Sequence, residues 1–116
     1  MSSGVKLVAV GDIMLGDHPV RFGHGVRSMI EKSGGESPFA NVTALLRGND
    51  IVFGNVEAVR SDQGLVPGNL VSEEFRGAPR FGSMLADAGF NVVGFSNNHC
   101  MEHGSAAFWD TVQVLR

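Results

Sequence analysis

The feature that most constrains this fold is a set of three short apolar runs that do not alternate with polar residues. They cover residues 6–10, 50–53 and 91–95, and each is rich in β-branched side chains and bounded by Gly, Asn or Asp. A continuous apolar pattern suits strands that are covered on both faces, as in a parallel sheet. The three runs therefore predict parallel strands of an α/β domain.

Apolar residues between the first two runs are spaced as on one face of a helix. Phe39, Val42, Leu45 and Leu46 fall on one stripe at the period of an α-helix. Ser37 stands just before this stripe and is a suitable N-cap, because its hydroxyl can accept a hydrogen bond from a free backbone N–H. The pattern predicts a helix that packs on the sheet.

Two further helices are predicted downstream. A stripe of Met84, Leu85 and Ala88 should end at Gly89, since glycine readily adopts the left-handed conformation that closes a helix. A third helix is expected to begin near residue 105. Its inward-facing residues are expected to be Phe108, Val112 and Leu115.

The predicted elements alternate between strands and helices, with one long interruption. Residues 58–79 are polar and rich in turn-forming residues, and they are expected to form an excursion loop. We expect residues 1–116 to be a single, C-terminally truncated part of a larger domain, since three strands alone would leave an open sheet edge. That edge is also a candidate surface for self-association.

Composition narrows the classes of partner and compartment. Nine basic and twelve acidic side chains give a formal net charge of −3, which argues against nucleic acid as the main partner. The single cysteine, Cys100, cannot form an internal disulfide. With no apolar run near 20 residues and no signal peptide, the chain is expected to be soluble. The sequence does not fix the location of the longer protein to which this segment is expected to belong. Association with the cell envelope and export are the two alternatives.

Small and polar residues follow each predicted strand, in segments 11–16, 54–57 and 96–99. The carboxyl ends of parallel strands meet at one edge of the sheet, where ligands bind. Two carboxylates, a carboxamide and an imidazole would therefore converge from distant parts of the chain. Oxygen ligands suit hard divalent cations, and imidazole suits transition metals. The sequence predicts a divalent-metal site at this edge.

These segments resemble the bacterial poly-gamma-glutamate capsule synthesis protein family, a part of the calcineurin-like metallophosphoesterase superfamily. The matching segments are GDIMLG at 11–16, FGNVE at 53–57, AGFNVV at 88–93 and NNH at 97–99, followed by Gly104 and Asp110-Thr111. The resemblance implies a partial metallophosphoesterase-like sheet with β-α alternation. It also implies that this sheet is the N-terminal part of a larger α/β/β/α sandwich.

The resemblance also implies roles for individual residues. Asp12 corresponds to the first-strand aspartate that holds one metal ion. Glu57 is similar to the acidic residue that bridges or holds metal, with Asn55 as a secondary candidate. Asn98 matches the asparagine ligand of the second metal, and His99 matches the catalytic histidine that contacts substrate and protonates a leaving group.

The implied reaction is metal-dependent hydrolysis at a phosphoryl or acyl centre, with manganese, iron or zinc as the metal. The implied substrate is an anionic polymer or a small phosphate-containing molecule, and the implied partner is a capsule synthesis complex. Met14 departs from the superfamily pattern, because most members have histidine at that place. The later histidine motifs are absent from the 116 residues. We therefore expect an incomplete metal site and no turnover from this segment alone.

Each candidate also has a simpler interpretation. Asp12 can cap a turn, Glu57 can be a solvated loop carboxylate, and Asn98 can belong to a left-handed turn. His99 alone would more often be a core histidine bonded to backbone. His18, in the first loop, can approach the site, although a surface position is favoured.

Two alternative functions are considered. The first is a non-catalytic scaffold in a polymer synthesis or export complex, which Met14 favours. The second is a serine esterase of the Gly-Asp-Ser kind, which Ile13 disfavours because it stands where the nucleophile should be.

Overall fold

The computed structural model describes residues 3–21 and 23–116. In chain order, its elements are β1 (Leu7–Ile13), α1 (Val26–Lys32), α2 (Thr43–Leu46), β2 (Ile51–Val56), β3 (Val59–Arg60), α3 (Leu70–Glu73), β4 (Arg76–Gly77), α4 (Phe81–Ala88), β5 (Val92–Gly94) and α5 (Gly104–Val114).

The main sheet has three parallel strands in the order β1-β2-β5. All three predicted strands are present, and the α/β class is confirmed. The central strand, β2, alternates between buried and half-buried residues because successive side chains point to opposite faces of the sheet, and it has a strand on each side. Its carboxyl end therefore lies between those of the two outer strands.

The prediction that every strand is covered on both faces is wrong for β1. Leu7 and Val10 are exposed, and Leu7 retains 62% of its accessible surface. β1 is an edge strand, so one side of it has no partner among the described residues. A continuous apolar pattern shows that both faces of a strand are suited to burial. It does not show whether other elements cover those faces, because these elements come from elsewhere in the chain.

A bulge in β1 sets the register at the site. Ala9 pairs with Phe53 and Asp12 pairs with Asn55, so β1 advances by three residues where β2 advances by two. A bulge of this kind redirects the side chains that follow it. β1 and β2 extend beyond their predicted carboxyl ends and include Asp12 and Asn55, whereas β5 is shorter than the predicted run 91–95.

The helix predicted around residues 39–46 is shorter in the structure. Only α2 is helical, and turns occupy the residues before it. The Ser37 hydroxyl accepts a hydrogen bond from the N–H of Phe39 at 3.2 Å, so it caps this turn. Leu46 is buried, but Leu45 is 73% exposed and does not belong to the core-facing stripe.

The second predicted helix agrees better with the structure. In α4, Leu85 and Ala88 are buried, and Met84 packs on the core half-buried. The helix ends at Gly89, which has φ of 112° and is left-handed. The apolar stripe and its stop signal were sufficient here because α4 packs directly on the main core cluster.

The third predicted helix is present as α5, but its inward face is rotated from the predicted one. Ala107 and Thr111 are fully buried, whereas Phe108 and Val112 are half-buried. The reason is a close approach to β3, where the Thr111 hydroxyl accepts a hydrogen bond from the N–H of Arg60 at 2.8 Å. Small residues are needed at such a close approach. The helix α1 had no counterpart in the prediction.

Residues 58–79 form an ordered excursion and not the predicted loop. The strands β3 and β4 pair in parallel, and α3 lies between them in the chain. Arg60 and Arg76 are buried, and their guanidinium groups donate hydrogen bonds to backbone carbonyl oxygens. The excursion is therefore organised by polar bonds that a hydropathy pattern does not reveal.

The core lies between the main sheet and the helices α1, α2 and α4. Its buried apolar members include Ile13, Ile30, Leu46, Val56 and Phe81. None of the helices among the described residues is long and apolar enough to cross a membrane.

Candidate functional site

The candidate site is built around the amide of Asn55 at the carboxyl end of β2. Its Nδ2 atom donates to Asp12 Oδ1 and to Glu57 Oε2, both at 2.8 Å. Asp12 reaches it from β1 through the bulge, and Glu57 follows β2 directly. Two carboxylates from distant parts of the chain are thus held around one nitrogen atom.

Asn97 connects this group to the end of β5. Its Nδ2 atom donates to Asn55 Oδ1 at 3.2 Å and to the Val56 carbonyl oxygen at 2.8 Å. Its Oδ1 atom accepts from the backbone N–H of His99 at 3.0 Å. We call Asp12, Asn55, Glu57, Asn97 and His99 the rim network, because hydrogen bonds and one close approach join them at one edge of the sheet.

The imidazole of His99 lies between two carboxylates. Its Nδ1 atom is 2.7 Å from Glu102 Oε2, a hydrogen bond in which Nδ1 is the donor in the tautomer that lets the carboxylate oxygen accept. Its Nε2 atom lies 3.5 Å from Glu57 Oε1. One nitrogen is thus fixed by a hydrogen bond, and the other faces the acidic side of the rim network.

The excursion supplies one wall of the site. The ring of Phe75 packs on the imidazole of His99, with 4.4 Å between ring centroids and 33° between their planes. Phe75 immediately precedes β4. The excursion therefore contacts the site as well as the rest of the fold.

A buried cation lies behind the rim network. Arg60 Nη2 donates to the Ile13 carbonyl oxygen at 3.3 Å, and the N–H of Glu57 donates to the same oxygen at 3.2 Å. Burial lowers the pKa of Arg60 to about 10, so its guanidinium remains charged at neutral pH. Among the described residues, no carboxylate lies within ion-pairing distance of it. Arg60 thus fixes the backbone at the ends of β1 and β2.

The donor atoms agree with a divalent cation in type but not in number. Asp12 and Glu57 offer carboxylate oxygens, which hard cations prefer, and His99 offers an imidazole nitrogen. The part of the chain that the structure describes contains no group of three or more His, Cys, Asp or Glu side chains arranged to hold a metal ion. The residues present could therefore form only one side of such a site.

The structure places the remaining predicted residues differently. Asn98 is exposed beside the rim network, and its assignment as a metal ligand stays a prediction. His18 is half-buried, and its Nδ1 atom accepts from the N–H of Val20 at 3.1 Å, which is a local bond in the first loop. Met14 lines an apolar groove with Phe39.

Asp17, next to His18, is a buried carboxylate in the first loop. Burial alone would raise its pKa, but hydrogen bonds from Ser28 and from backbone N–H groups outweigh this and lower the pKa of Asp17 below its ordinary value. The hydroxyl of Ser28 donates to Asp17 Oδ2 at 2.6 Å. Asp17 therefore stabilises the loop as a carboxylate.

Three residues of the site were not predicted as functional. Asn97 stands beside the predicted Asn98, and strand geometry could not say which of the two points inward. Glu102 follows His99 by three residues, a helical spacing that could have indicated the pair. Phe75 carries no local signal, because its position depends on the excursion.

The fold and site together define a class of protein: a parallel α/β sheet whose strand ends gather carboxylates, amides and a histidine. A family model for the bacterial capsule synthesis protein PGA_cap matches residues 6–116. The chain belongs to this family.

One curated relative carries a name that agrees with this family. The chain is 25% identical over 114 residues to the capsule biosynthesis protein CapA of Bacillus anthracis, covering 97% of this chain and 26% of the relative. It is 28% identical over 116 residues to the uncharacterized proteins y4sH and y4uA of Sinorhizobium fredii, covering 97% of this chain and 23% of each relative. The chain thus spans about a quarter of the length of these relatives.

Proposed function

We propose that this chain is part of a metal-dependent hydrolase-like domain that acts in the synthesis or processing of poly-gamma-glutamate capsule polymer. The observation that carries the proposal is the meeting of Asp12 and Glu57 on the amide of Asn55, beside the imidazole of His99. The family assignment supports the biological setting. The proposed substrate is an anionic polymer or a small molecule that carries phosphate.

The carboxylates of Asp12 and Glu57 would hold a divalent cation, with Asn98 as a further candidate ligand. When bound, such a cation withdraws electron density from the bond to be broken and activates water. Asn55 fixes the spacing of the two carboxylates through its amide hydrogen atoms. The remaining ligands would come from the part of the protein outside these residues, as the short coverage of the relatives allows.

His99 is proposed to move the proton. Its Nδ1 hydrogen is held by Glu102, so Nε2 is the nitrogen that can exchange a proton with a substrate. The carboxylate of Glu102 fixes the orientation of the ring and stabilises the imidazolium form when it develops. This division of roles follows from the two different distances at the two nitrogens.

Calorimetric titration of the complete protein with Mn²⁺ tests this proposal. We expect Asp12→Ala to weaken Mn²⁺ binding by at least about tenfold, since it removes a proposed ligand. Asp87→Ala is the matched control, because Asp87 is an exposed aspartate on α4 whose carboxylate bonds to no residue of the rim network. Equal affinity in the two variants would remove Asp12 from the site.

A non-catalytic scaffold role is the second candidate. Met14 in place of a histidine favours it, as does the amide of Asn55, which donates one hydrogen bond to each of the two carboxylates. A scaffold predicts no Mn²⁺ binding by the complete protein and normal capsule assembly in cells that carry His99→Ala. A hydrolase predicts Mn²⁺ binding and defective assembly with the same variant.

A further inference from the structure

One backbone conformation at the site is strained. Among the described residues, Phe75 is the one non-glycine residue with a positive φ, at 46°. A bulky L-residue is rarely found in this left-handed region, because its Cβ atom crowds the following carbonyl oxygen. Such a conformation persists only where the surrounding structure enforces it.

Contacts on both sides enforce the conformation. The backbone of Phe75 lies against Gly16, and a Cβ atom added at Gly16 would come within 2.9 Å of the Phe75 carbonyl carbon and of the N atom of Arg76. The carbonyl oxygen of Glu74 accepts a hydrogen bond from His103 Nε2 at 2.8 Å. Gly16, in the loop after β1, and His103, at the start of α5, thus hold the backbone around Phe75 in place.

The side chain of Arg76 anchors the next residue. Its Nη1 atom donates to the carbonyl oxygens of Ser61 at 2.7 Å and Gln63 at 3.0 Å, and its Nε atom donates to that of Ser72 at 2.7 Å. Arg76 is 1% exposed. The strained residue therefore lies between two fixed neighbours.

These anchors place an aromatic ring on the face of His99. The hydrogen bond from Nδ1 to Glu102 fixes the direction of the imidazole within its plane. That bond leaves the tilt of the ring free, and the ring of Phe75 covers one face at a centroid distance of 4.4 Å. Two perpendicular constraints on one side chain are what a precise site requires.

We propose that Phe75 is a positioning residue for His99, and that its strained backbone conformation exists to hold its ring against the imidazole. Phe75 itself contacts no reacting atom in this account. It acts by fixing the tilt of His99 and by excluding water from one face of the imidazole. Only the kinetic test of this inference rests on the proposed function.

Three variants at one position separate strain from positioning. Phe75→Gly relieves the backbone strain and removes the ring, whereas Phe75→Ala removes the ring and keeps the strain. Phe75→Tyr keeps both the ring and the strain. Phe39→Leu is the control for loss of an aromatic pair elsewhere, because Phe39 packs on Phe90 in the core with 5.5 Å between centroids.

The first readout is the nuclear magnetic resonance spectrum of the complete protein with histidine labelled at Cε1. Loss of the Phe75 ring current shifts the His99 signals by itself, so the line width is the readout: we expect the His99 signals to broaden in Phe75→Gly and Phe75→Ala, because the imidazole then samples several tilts, and to stay sharp in Phe39→Leu. We also expect Phe75→Gly to melt at a higher temperature than Phe75→Ala, although both have lost the ring. His99 signals as sharp in Phe75→Gly as in the natural protein would overturn the proposal.

The second readout is the hydrolysis of a model phosphodiester with Mn²⁺. We expect kcat to fall about 10- to 100-fold in Phe75→Gly with little change in KM. In Phe75→Tyr, which keeps the ring, we expect kcat to stay near that of the natural protein. An unchanged kcat in Phe75→Gly would overturn the role of Phe75. If the natural protein hydrolyses neither this phosphodiester nor poly-gamma-glutamate, the proposed hydrolase function fails, and the His99 signals still decide whether Phe75 positions the imidazole.

Discussion

The main sheet and the excursion at residues 58–79 meet at the same site but are stabilised in different ways. The sheet is held by apolar side chains, with Val52 and Val56 buried on its central strand. The excursion is held by two buried guanidinium groups that donate to backbone carbonyl oxygens. The strand ends that carry the metal-binding candidates therefore depend on apolar packing and on Arg60, whereas the wall against His99 depends on the polar network of the excursion.

The largest effect is expected from breaking the polar network at its most buried point. Arg60→Ala should lower the free energy of unfolding by about 4 kcal/mol, because it leaves a cavity and removes three hydrogen bonds to backbone carbonyl oxygens, of which that of Ile13 alone keeps the N–H of Glu57 as a donor among the bonds described above. Urea denaturation of the complete protein measures this. Arg80→Ala is the control: Arg80 pairs with Glu31 at the surface, and its loss should cost less than about 1 kcal/mol. Equal costs would contradict the comparison.

A matched change in the apolar region should cost somewhat less. Leu85→Ala, on α4, should lower the free energy of unfolding by about 3 kcal/mol by removing buried apolar volume. Its effect should spread over the sheet and leave the Phe75–His99 contact in place. If the His99 resonances moved as far in Leu85→Ala as in Arg60→Ala, the two regions would not be separate.

Asn97 connects the end of β2 to His99, which is the residue that Phe75 of the excursion contacts. Asn97→Ala removes the hydrogen bonds to Asn55 and Val56, and it should cost about 2 kcal/mol. The expected consequence is disorder of His99, whose N–H loses its acceptor. Asn98→Ala is the control for stability, since Asn98 is exposed and should change it by less than about 0.5 kcal/mol. A larger stability loss in Asn98→Ala than in Asn97→Ala would contradict the observed network.

The smallest effect is expected in acid. The pKa of Asp17 is lower in the folded protein than its ordinary value of 3.8, so the stability that this carboxylate contributes is present above that value. It is lost as the pH falls through the lowered pKa. Asp17→Asn should therefore flatten the fall in stability below about pH 4, as followed by urea denaturation at several pH values. Asp87→Asn should leave that fall unchanged, and an identical flattening in both would refute the assignment.

The parts of the fold that the sequence predicts are those that apolar side chains determine. The three strands and α4 with its stop at Gly89 follow from local pattern alone. The exposure of β1 could not be predicted, because it depends on which neighbours the strand has. Arg60 and Arg76 lie in the segment predicted as a loop, and a charged side chain gives no sign in the sequence that backbone carbonyl oxygens will surround it.

The candidate site was predictable to the extent that strand ends gather at one edge. Asp12, Asn55, Glu57 and His99 do meet there, as the parallel arrangement implies. The choice between Asn97 and Asn98 depends on the local turn, and the bulge that aligns Asp12 with Asn55 has no sequence signature. Phe75 could not be found, because it enters the site from the excursion.

Anomalous diffraction from crystals of the complete protein grown with Mn²⁺ tests the central claim most directly. We predict a manganese peak in contact with carboxylate oxygens of both Asp12 and Glu57, at a distance of about 2.2 Å. A well-occupied manganese peak that neither carboxylate touches would contradict the account.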